Sequence, residues 1–480
     1  MNFRNEYLPI DPIEPQTLFG VWDDRTVSRH LIDLRPLTDD RTVLRNPHKG
    51  WFFHYVDNGF GRPEYRDKHP AGDYLEDFPA MNHLYLRIDW SDVEVERGVY
   101  DFSKLDAVMD EWGPHGFSFA MGMCCFEAYP AIPFATPKYV FEDGARVCRT
   151  PRFGYQPDYG DPIFLERLER FLEVMGKRYN GDPRIEVIDI GTYGTWGEGH
   201  TVFGDGIIPP VSVVKKHYDL HAKYFPDTYL ACNDDHIVGR IARGADEVNE
   251  ILDYAVSRGF GLQDDSALVG GYAQGCGYDS LRAPWAFELL GEHAPNIIEC
   301  DHYDTVTHDP ISLPRGGLTL VEALKSARAT FGGFHWYPRE WLANERHVAE
   351  YAGNRLGYWL FLPFIKVPPL QNTAWNAVTF CMENHGFAGC YRDYEVTARL
   401  RGANGEKTVL LPDVRLSEIG AGGKKEFETR LDLRGLPEGE YEFAIGIRDT
   451  STGRPVRLGM KPDTFDGAYH TLTRVRVSGV

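Results

Sequence analysis

Between Asn46 and about Leu362 the chain alternates short β-rich runs with longer amphipathic ones, and this alternation constrains the fold more than any other feature. A β run followed by a helical run builds a βα unit, and successive units pair in parallel because each strand is returned to the same edge by its crossover. Eight β runs occur: GWFFHYV from Gly50, HLYLRIDW from His83, FSFAMGMCCF from Phe117, IEVIDIGTYG from Ile185, TYLACND from Thr228, FGLQDD from Phe260, NIIECDHY from Asn296 and FGGFHWYP from Phe331. Between them lie helical stretches with apolar residues at three- and four-residue spacing, such as FLERLERFLEVMGKRY from Phe164 and NERHVAEYAGNRLGYWL from Asn344. Eight βα units close on themselves, so the fold class is α/β, a (β/α)8 TIM barrel over residues 46–362. That span exceeds the roughly 250 residues of a plain barrel and implies decorated βα loops.

After FIKVPPLQ the helical period stops. NAVTFCMEN, YEVTARLRG, KTVLLPDVRL, KKEFETRLDL, YEFAIGIRD and HTLTRVRVSG follow, separated by Gly, Asn and Pro turns, which predicts a small antiparallel β-sandwich over residues 363–480. LRGLPEGEYEFAIGIRD resembles an immunoglobulin-like module, with a Gly/Pro turn before an alternating strand. The sandwich carries no strand-end carboxylate pair, so it is expected to be structural and to pack on the barrel through the short KVPPLQ segment. Residues 1–45, rich in Asp, Arg and Pro, are expected as an extension packed on the barrel.

A formal charge of -20, from 51 basic and 71 acidic residues, leaves no basic stripe to neutralise phosphates and argues against nucleic acid as a partner. No apolar run is long enough to cross a bilayer, and MNFRNEYLPIDPIEPQ lacks the basic region and apolar core of a secretory signal, so the expectation is a soluble, cytoplasmic protein. The eight cysteines form neither a CxxC nor a His/Cys cluster. Free buried thiols are expected rather than disulfides or zinc, and no metal or other cofactor is implied. Oligomeric state is not legible.

The active face of a barrel lies at the C-terminal ends of its strands, which isolates a short set of polar residues. The fourth run ends in GTYGTWGEGH, placing Trp196, Glu198 and His200 in a glycine-rich loop. The seventh ends in ECDHYD, with Glu299, Asp301, His302, Tyr303 and Asp304. Hydrolysing a glycoside takes one carboxylic acid to protonate the leaving oxygen and a second carboxylate as nucleophile or as base on a water. Strands four and seven face each other across the mouth, so Glu198 is assigned as acid/base and Glu299 as nucleophile on a carbohydrate substrate. Asn233, Asp234, Asp235 and His236 end the fifth strand, and Asp264 and Asp265 end the sixth, where polar groups can hydrogen-bond sugar hydroxyls.

LYLRIDWSDVEVERGVYDFSKLD, from Leu84 to Asp106, resembles a segment of clan A, β-galactosidase-type glycoside hydrolases, in which a strand ending in Arg and an aromatic leads to E-x-x-x-G-x-Y-D-[FW]-x-x-L-D. GWF, GTYGTWGEGH and GYWLF are also similar to a bacterial barrel family carrying a C-terminal domain of unknown function. The resemblance implies an acid/base Glu after strand four, a nucleophilic Glu after strand seven, an Arg on strand two bonded to the nucleophile and an aromatic on strand eight under the sugar. Glu198, Glu299, Arg87 and Trp336 match those positions. One departure stands out: the clan has Asn immediately before its acid/base Glu, and this chain has Gly197.

Two other readings stay open. His200, His236, His302 and His335 fall near strand ends beside acidic residues, as a metal-dependent barrel hydrolase or isomerase would require, although no strand-one HxH and no HExxH occurs. A non-catalytic carbohydrate-binding protein would keep the barrel and lose the chemistry.

Overall fold

The computed structural model describes residues 30–62, 66, 68–150, 153–238, 243–267, 283–300, 302–303, 317–335 and 337–479. Eight parallel strands close a barrel: β1 (Gly50–Val56), β2 (Met81–Asp89), β3 (Ser118–Cys124), β4 (Ile185–Asp189), β5 (Tyr229–Asn233), β6 (Gly261–Ala267), β7 (Asn296–Cys300) and β8 (Ala329–Phe334). They neighbour one another in chain order and close through β8 against β1. All eight predicted runs are strands of this barrel. Gly333 sits at the closing seam, where a Cβ would collide with the Phe52 carbonyl oxygen, so a side chain there would pry β8 from β1.

Helices α1 (Ser103–Trp112), α2 (Pro162–Tyr179), α3 (Val211–Tyr224), α4 (Ala245–Ser257), α5 (Pro284–Leu290), α6 (Leu318–Ser326) and α7 (Pro338–Arg355) follow the strands from β2 onward. In α2, Asp161 caps the first turn by accepting from Ile163 N and Phe164 N, and Pro162 needs no partner at the first helical position. Phe164, Leu168, Phe171, Leu172 and Met175 form its buried stripe.

Period-two alternation then builds the barrel interior in layers. Phe52, Tyr85, Ala120, Val187, Ala231, Ile297 and Phe331 form one apolar cluster, one residue from each of seven strands. On β6 the register partner of Ile297 is the polar Gln263. Two residues further along the strands, toward the C-terminal mouth, the same inward positions carry His54, Arg87, Gly122, Asp189, Asn233 and Glu299. The sequence thus switches from an apolar plug to a polar layer within a single pleat repeat.

The described residues divide into compact units, one spanning Trp51–Arg346 and the other comprising residues 30–50 with 347–479. The residues after Arg355 are not further helix: β9 (Leu360–Lys366) pairs antiparallel with β11 (Asn376–Asn384). The described part of the N-terminal segment, expected on the barrel, adds the short strand Leu31–Asp33 to the other edge of β9. Long-range pairing decides both placements, and a three-residue strand has too little period to announce itself.

In this second unit one sheet runs Leu31–Asp33, β9, β11, β14 (Lys424–Leu431). The other is ordered β10 (Leu370–Gln371), β16 (Tyr469–Ser478), β15 (Gly439–Asp449), β12 (Tyr394–Gly402), β13 (Gly405–Leu410). All pairs are antiparallel except β10 with β16. Val378, Phe380 and Phe427 of one sheet share an apolar cluster with Leu400, Phe443 and Val475 of the other.

Lys49 is fully buried in this unit, donating to the Asn354 carbonyl at 2.8 Å. Burial first, and then the charge of Arg355, lowers its pKa to about 7. In the unfolded chain it titrates near pH ~10.4, so between these values the unfolded state holds a proton that the folded state has released. The destabilisation is fully present below pH ~7 and fades as pH rises toward ~10. Lys49→Met is therefore expected to raise the melting temperature more at pH ~6 than at pH ~9.5, which paired thermal melts of both proteins will read.

Every described cysteine is a free thiol, and all but Cys148 are buried. Among the described residues no helix is long and apolar enough to cross a membrane.

Candidate active site at the barrel mouth

Arg87, the inward residue of β2 in the polar layer, organises the mouth. Its Nη1 donates to Glu198 Oε1 at 2.9 Å, its Nη2 to Asp57 Oδ1 at 2.5 Å and its Nε to the Asp57 carbonyl at 3.0 Å. Glu299 Oε1 lies 3.9 Å from Nη2. One guanidinium thus spans the two expected catalytic carboxyls, although its hydrogen bond goes to Glu198 and not to Glu299 as the resemblance implied. Burial alone would weaken the charged form, but Asp57, Glu299 and Glu198 more than offset it and push Arg87 well above its ordinary value.

Glu299 is completely buried and surrounded by donors. Gln263 Nε2 donates to Oε2 at 3.0 Å, His335 Nε2 contacts Oε1, and His54 Nδ1 lies 3.7 Å from the same oxygen. Gln263 also donates to Tyr85 OH at 3.1 Å, and that hydroxyl donates to Asp189 Oδ2 at 2.8 Å, so the amide is fixed from below. Burial, above all, holds His54 well below its ordinary value, opposed by Asp57, whose Oδ1 is 3.1 Å from His54 Nε2.

Glu198 is presented by a loop folded tightly on itself. Thr195 N donates to the His200 carbonyl at 2.7 Å, Gly199 N to Tyr193 O at 3.0 Å and Trp196 N to Phe126 O at 2.8 Å. Trp196 takes a left-handed φ of 55°, a strain that residues other than glycine bear chiefly at functional sites. Gly197 has φ 84°, and a Cβ on it would lie 2.6 Å from the Gly191 carbonyl oxygen. The departure from Asn at this position therefore has a steric cause: this loop admits no side chain there. His200 Nε2 reaches Glu198 Oε2 at 3.2 Å, and the Trp196 ring meets His200 edge-on with centroids 5.6 Å apart.

The other expected residues divide. His302 is half-buried, its ring centroid 4.8 Å from that of His335, and Tyr303 is buried with its N–H donating to the His335 carbonyl at 3.2 Å. Asn233 spends its carbonyl oxygen as a helix cap, accepting from Asp235 N at 3.0 Å, so Asn233 and the buried Asp235 hold the Asp234–Ile237 turn. His236 accepts or donates at Tyr218 OH, 3.2 Å away. Asp264, expected at the end of the sixth strand, is buried in the middle of β6, which runs on to Ala267, and it follows the inward Gln263 so its side chain takes the opposite face. Trp336, Asp301 and Asp304 lie outside the described residues, as does the Asp265 side chain.

Sequence reasoning missed His54, Asp57, Tyr85, Asp189 and Gln263. Their signal was present: each lies on or just after a predicted strand, and all but Asp57 hold inward positions of the alternation. His54, Asp57, Glu299 and His335 also offer ligand atoms all within 4.8 Å of one another, a donor set that could hold a metal ion. Of the four histidines that suggested a metal from the sequence, only His335 belongs to it.

No protein-family model matches the chain. No curated protein matches it either. Among solved structures it is similar to endo-glycoceramidase II from Rhodococcus sp. in its ganglioside GM3 complex, with 15% identity, TM-score 0.40, and 81% of this chain and 99% of that one covered. Xylanase XynB from Paenibacillus barcinonensis is similar at 11% identity and TM-score 0.38, covering 60% and 84%. A β-galactosidase from the Antarctic haloarchaeon Halorubrum lacusprofundi is similar at 15% identity and TM-score 0.35, covering 55% and 49%.

Proposed function

We propose that the protein is a retaining glycoside hydrolase acting on an oligo- or polysaccharide, with Glu299 as nucleophile and Glu198 as acid/base. The observation that carries this reading is the single buried guanidinium of Arg87 reaching both Glu198 and Glu299. Sharing one arginine keeps both carboxyls at the same place in the mouth, and the retaining course is the one in which they stand about 5 Å apart. Glu198 protonates the leaving oxygen while Glu299 attacks the anomeric carbon; the resulting glycosyl ester is then cleaved by a water that Glu198 deprotonates. His200, in contact with Glu198, can exchange that proton as the charge alternates. Gln263 and His335 orient the Glu299 carboxylate for attack. The second unit is read as an immunoglobulin-like β-sandwich with a structural role. A screen of aryl glycosides, including galactosides, glucosides, xylosides, arabinosides and fucosides, against wild type and Glu299→Ala tests the proposal. Release of the phenol by wild type alone supports it.

A second reading, a metal-dependent barrel hydrolase, is favoured by the His54, Asp57, Glu299 and His335 cluster. The two readings use Glu299 differently and chelation separates them. The glycosidase reading expects full activity after EDTA treatment, since two carboxylates suffice for glycosyl transfer. Activity lost on chelation and restored by zinc or manganese, with stoichiometric metal by elemental analysis, would establish the metal reading instead.

A further inference from the structure

Away from the mouth, the barrel carries a cavity with no assigned task. Tyr55 follows the inward His54 on β1, so period-two alternation puts its ring on the outer face of the barrel. A cavity of about 700 Å³ opens there, walled by Arg66, Lys68 and Tyr74 of the connection from β1 to β2 and by Glu111 and Trp112 at the end of α1. That volume admits a small ligand. Glu198, Glu299 and Arg87 do not line it.

The lining is held in place and chemically mixed. Tyr74 stacks on His115 with ring centroids 3.6 Å apart and meets Trp112 edge-on at 5.3 Å, and Trp112 meets Tyr55 edge-on at 5.2 Å. The Tyr74 hydroxyl donates to Glu111 Oε1 at 3.5 Å. The wall beside Tyr74 is pinned to α7, because the Asp73 carboxylate accepts from the Arg339 guanidinium, whose Nε lies 2.6 Å from Asp73 Oδ2. Burial, above all, raises the Tyr55 hydroxyl above its ordinary value, with Trp112, Glu111 and Arg66 also acting on it, so charges of both signs reach one phenol. Such a lining selects against ions: an anion that approaches Arg66 or Lys68 also meets Glu111, and a cation that approaches Glu111 meets the two basic groups. A neutral ligand rich in hydroxyls meets no such conflict, since each hydroxyl can donate to a carboxylate and accept from a guanidinium or ammonium group. The C–H faces of a sugar ring find the aromatic edges and faces of Tyr74 and Trp112 on the same wall.

We propose that this cavity is a second saccharide-binding site, distinct from the barrel mouth, which holds about one or two uncharged sugar units of an oligo- or polysaccharide. A chain anchored here gains a second point of attachment without any new contact at the bond that is cut. The site stands on its own lining and does not depend on which residue at the mouth does the chemistry.

Affinity electrophoresis of the full chain tests it, through native gels cast with xylan, mixed-linkage glucan, galactan, arabinan, polygalacturonate or chitosan. At least one of the neutral polymers is expected to retard wild type. Tyr74→Ala and Glu111→Gln are each expected to weaken that binding by on the order of tenfold in apparent Kd, the scale of one ring contact or one charged hydrogen bond. Glu111 is exposed and Tyr74 half-buried, so both variants are expected to melt as wild type does and to keep its kcat/KM on any aryl glycoside that it cleaves. Retardation by none of the polymers, retardation that both variants keep in full, or retardation by polygalacturonate or chitosan alone would overturn the inference. Retardation lost in the variants while no glycoside is hydrolysed leaves the inference standing and removes the hydrolase reading. Hydrolysis of a glycoside with retardation unchanged in the variants does the reverse.

Discussion

Glu299→Gln and Glu198→Gln are each expected to lower turnover by on the order of 10³-fold or more while the fold persists. Both changes keep the side-chain shape and the capacity to accept a hydrogen bond, so Arg87, Gln263 and His335 lose a charge opposite them but no volume. What disappears is chemistry: an amide neither attacks an anomeric carbon nor cycles a proton. The two residues separate in a rescue experiment. Glu299→Gly opens room for azide beside the anomeric carbon, and recovered activity with an inverted glycosyl azide as product identifies the nucleophile. If Glu198→Gly yields the inverted azide instead, the roles are exchanged, an outcome made pointed by the hydrogen bond that Arg87 gives to Glu198 rather than to Glu299. Turnover near wild type in either Gln variant, with circular dichroism unchanged, removes that residue from the mechanism.

The second large effect concerns Arg87. Arg87→Met removes the cation that faces Asp57, Glu198 and Glu299, all nearly or fully buried. Breaking a buried charge network by deleting one partner costs about 3–5 kcal/mol, because the remaining charges keep their desolvation penalty without compensation. For a unit of this size the loss corresponds to a melting temperature lower by roughly 10 °C. Activity is expected to collapse as well, since the positions of both glutamates depend on one fork. Arg87→Lys retains the charge but offers a single nitrogen in place of the fork. It is expected to recover much of the melting temperature and little of kcat. Thermal melts paired with steady-state kinetics on the same preparations read both effects. A melt unchanged in Arg87→Met would mean that the mouth is solvated enough for water to replace the guanidinium.

The barrel was legible because its signal is local and repeated. Each strand of five to nine residues carries its own β-rich composition, and the helix after it carries its own three- and four-residue period. Closure then follows from the number of units, without any knowledge of which side chains touch. Glu198, His200, Glu299 and Arg87 were legible for a related reason, since strand ends in a barrel point to a common mouth. The strand Leu31–Asp33 and the pairing of Leu360–Lys366 were not, because what defines them is a partner strand elsewhere in the chain.

Composition, spacing and alternation determined by themselves that eight parallel strands would converge two glutamates on one mouth, and the resemblance of LYLRIDW added the arginine. Only the tertiary structure decided what those groups meet there. His54 comes from the first strand and Asp57 from just after it, Gln263 from the sixth and His335 from beyond the eighth, so their meeting around Glu299 depends on barrel closure and stagger, which place residues tens to hundreds apart in the chain within hydrogen-bond reach. The physical reason is that alternation tells which face a side chain takes, whereas hydrogen bonds and ion pairs are set by ångström-scale distances across the barrel, and those exist only once the sheet has closed.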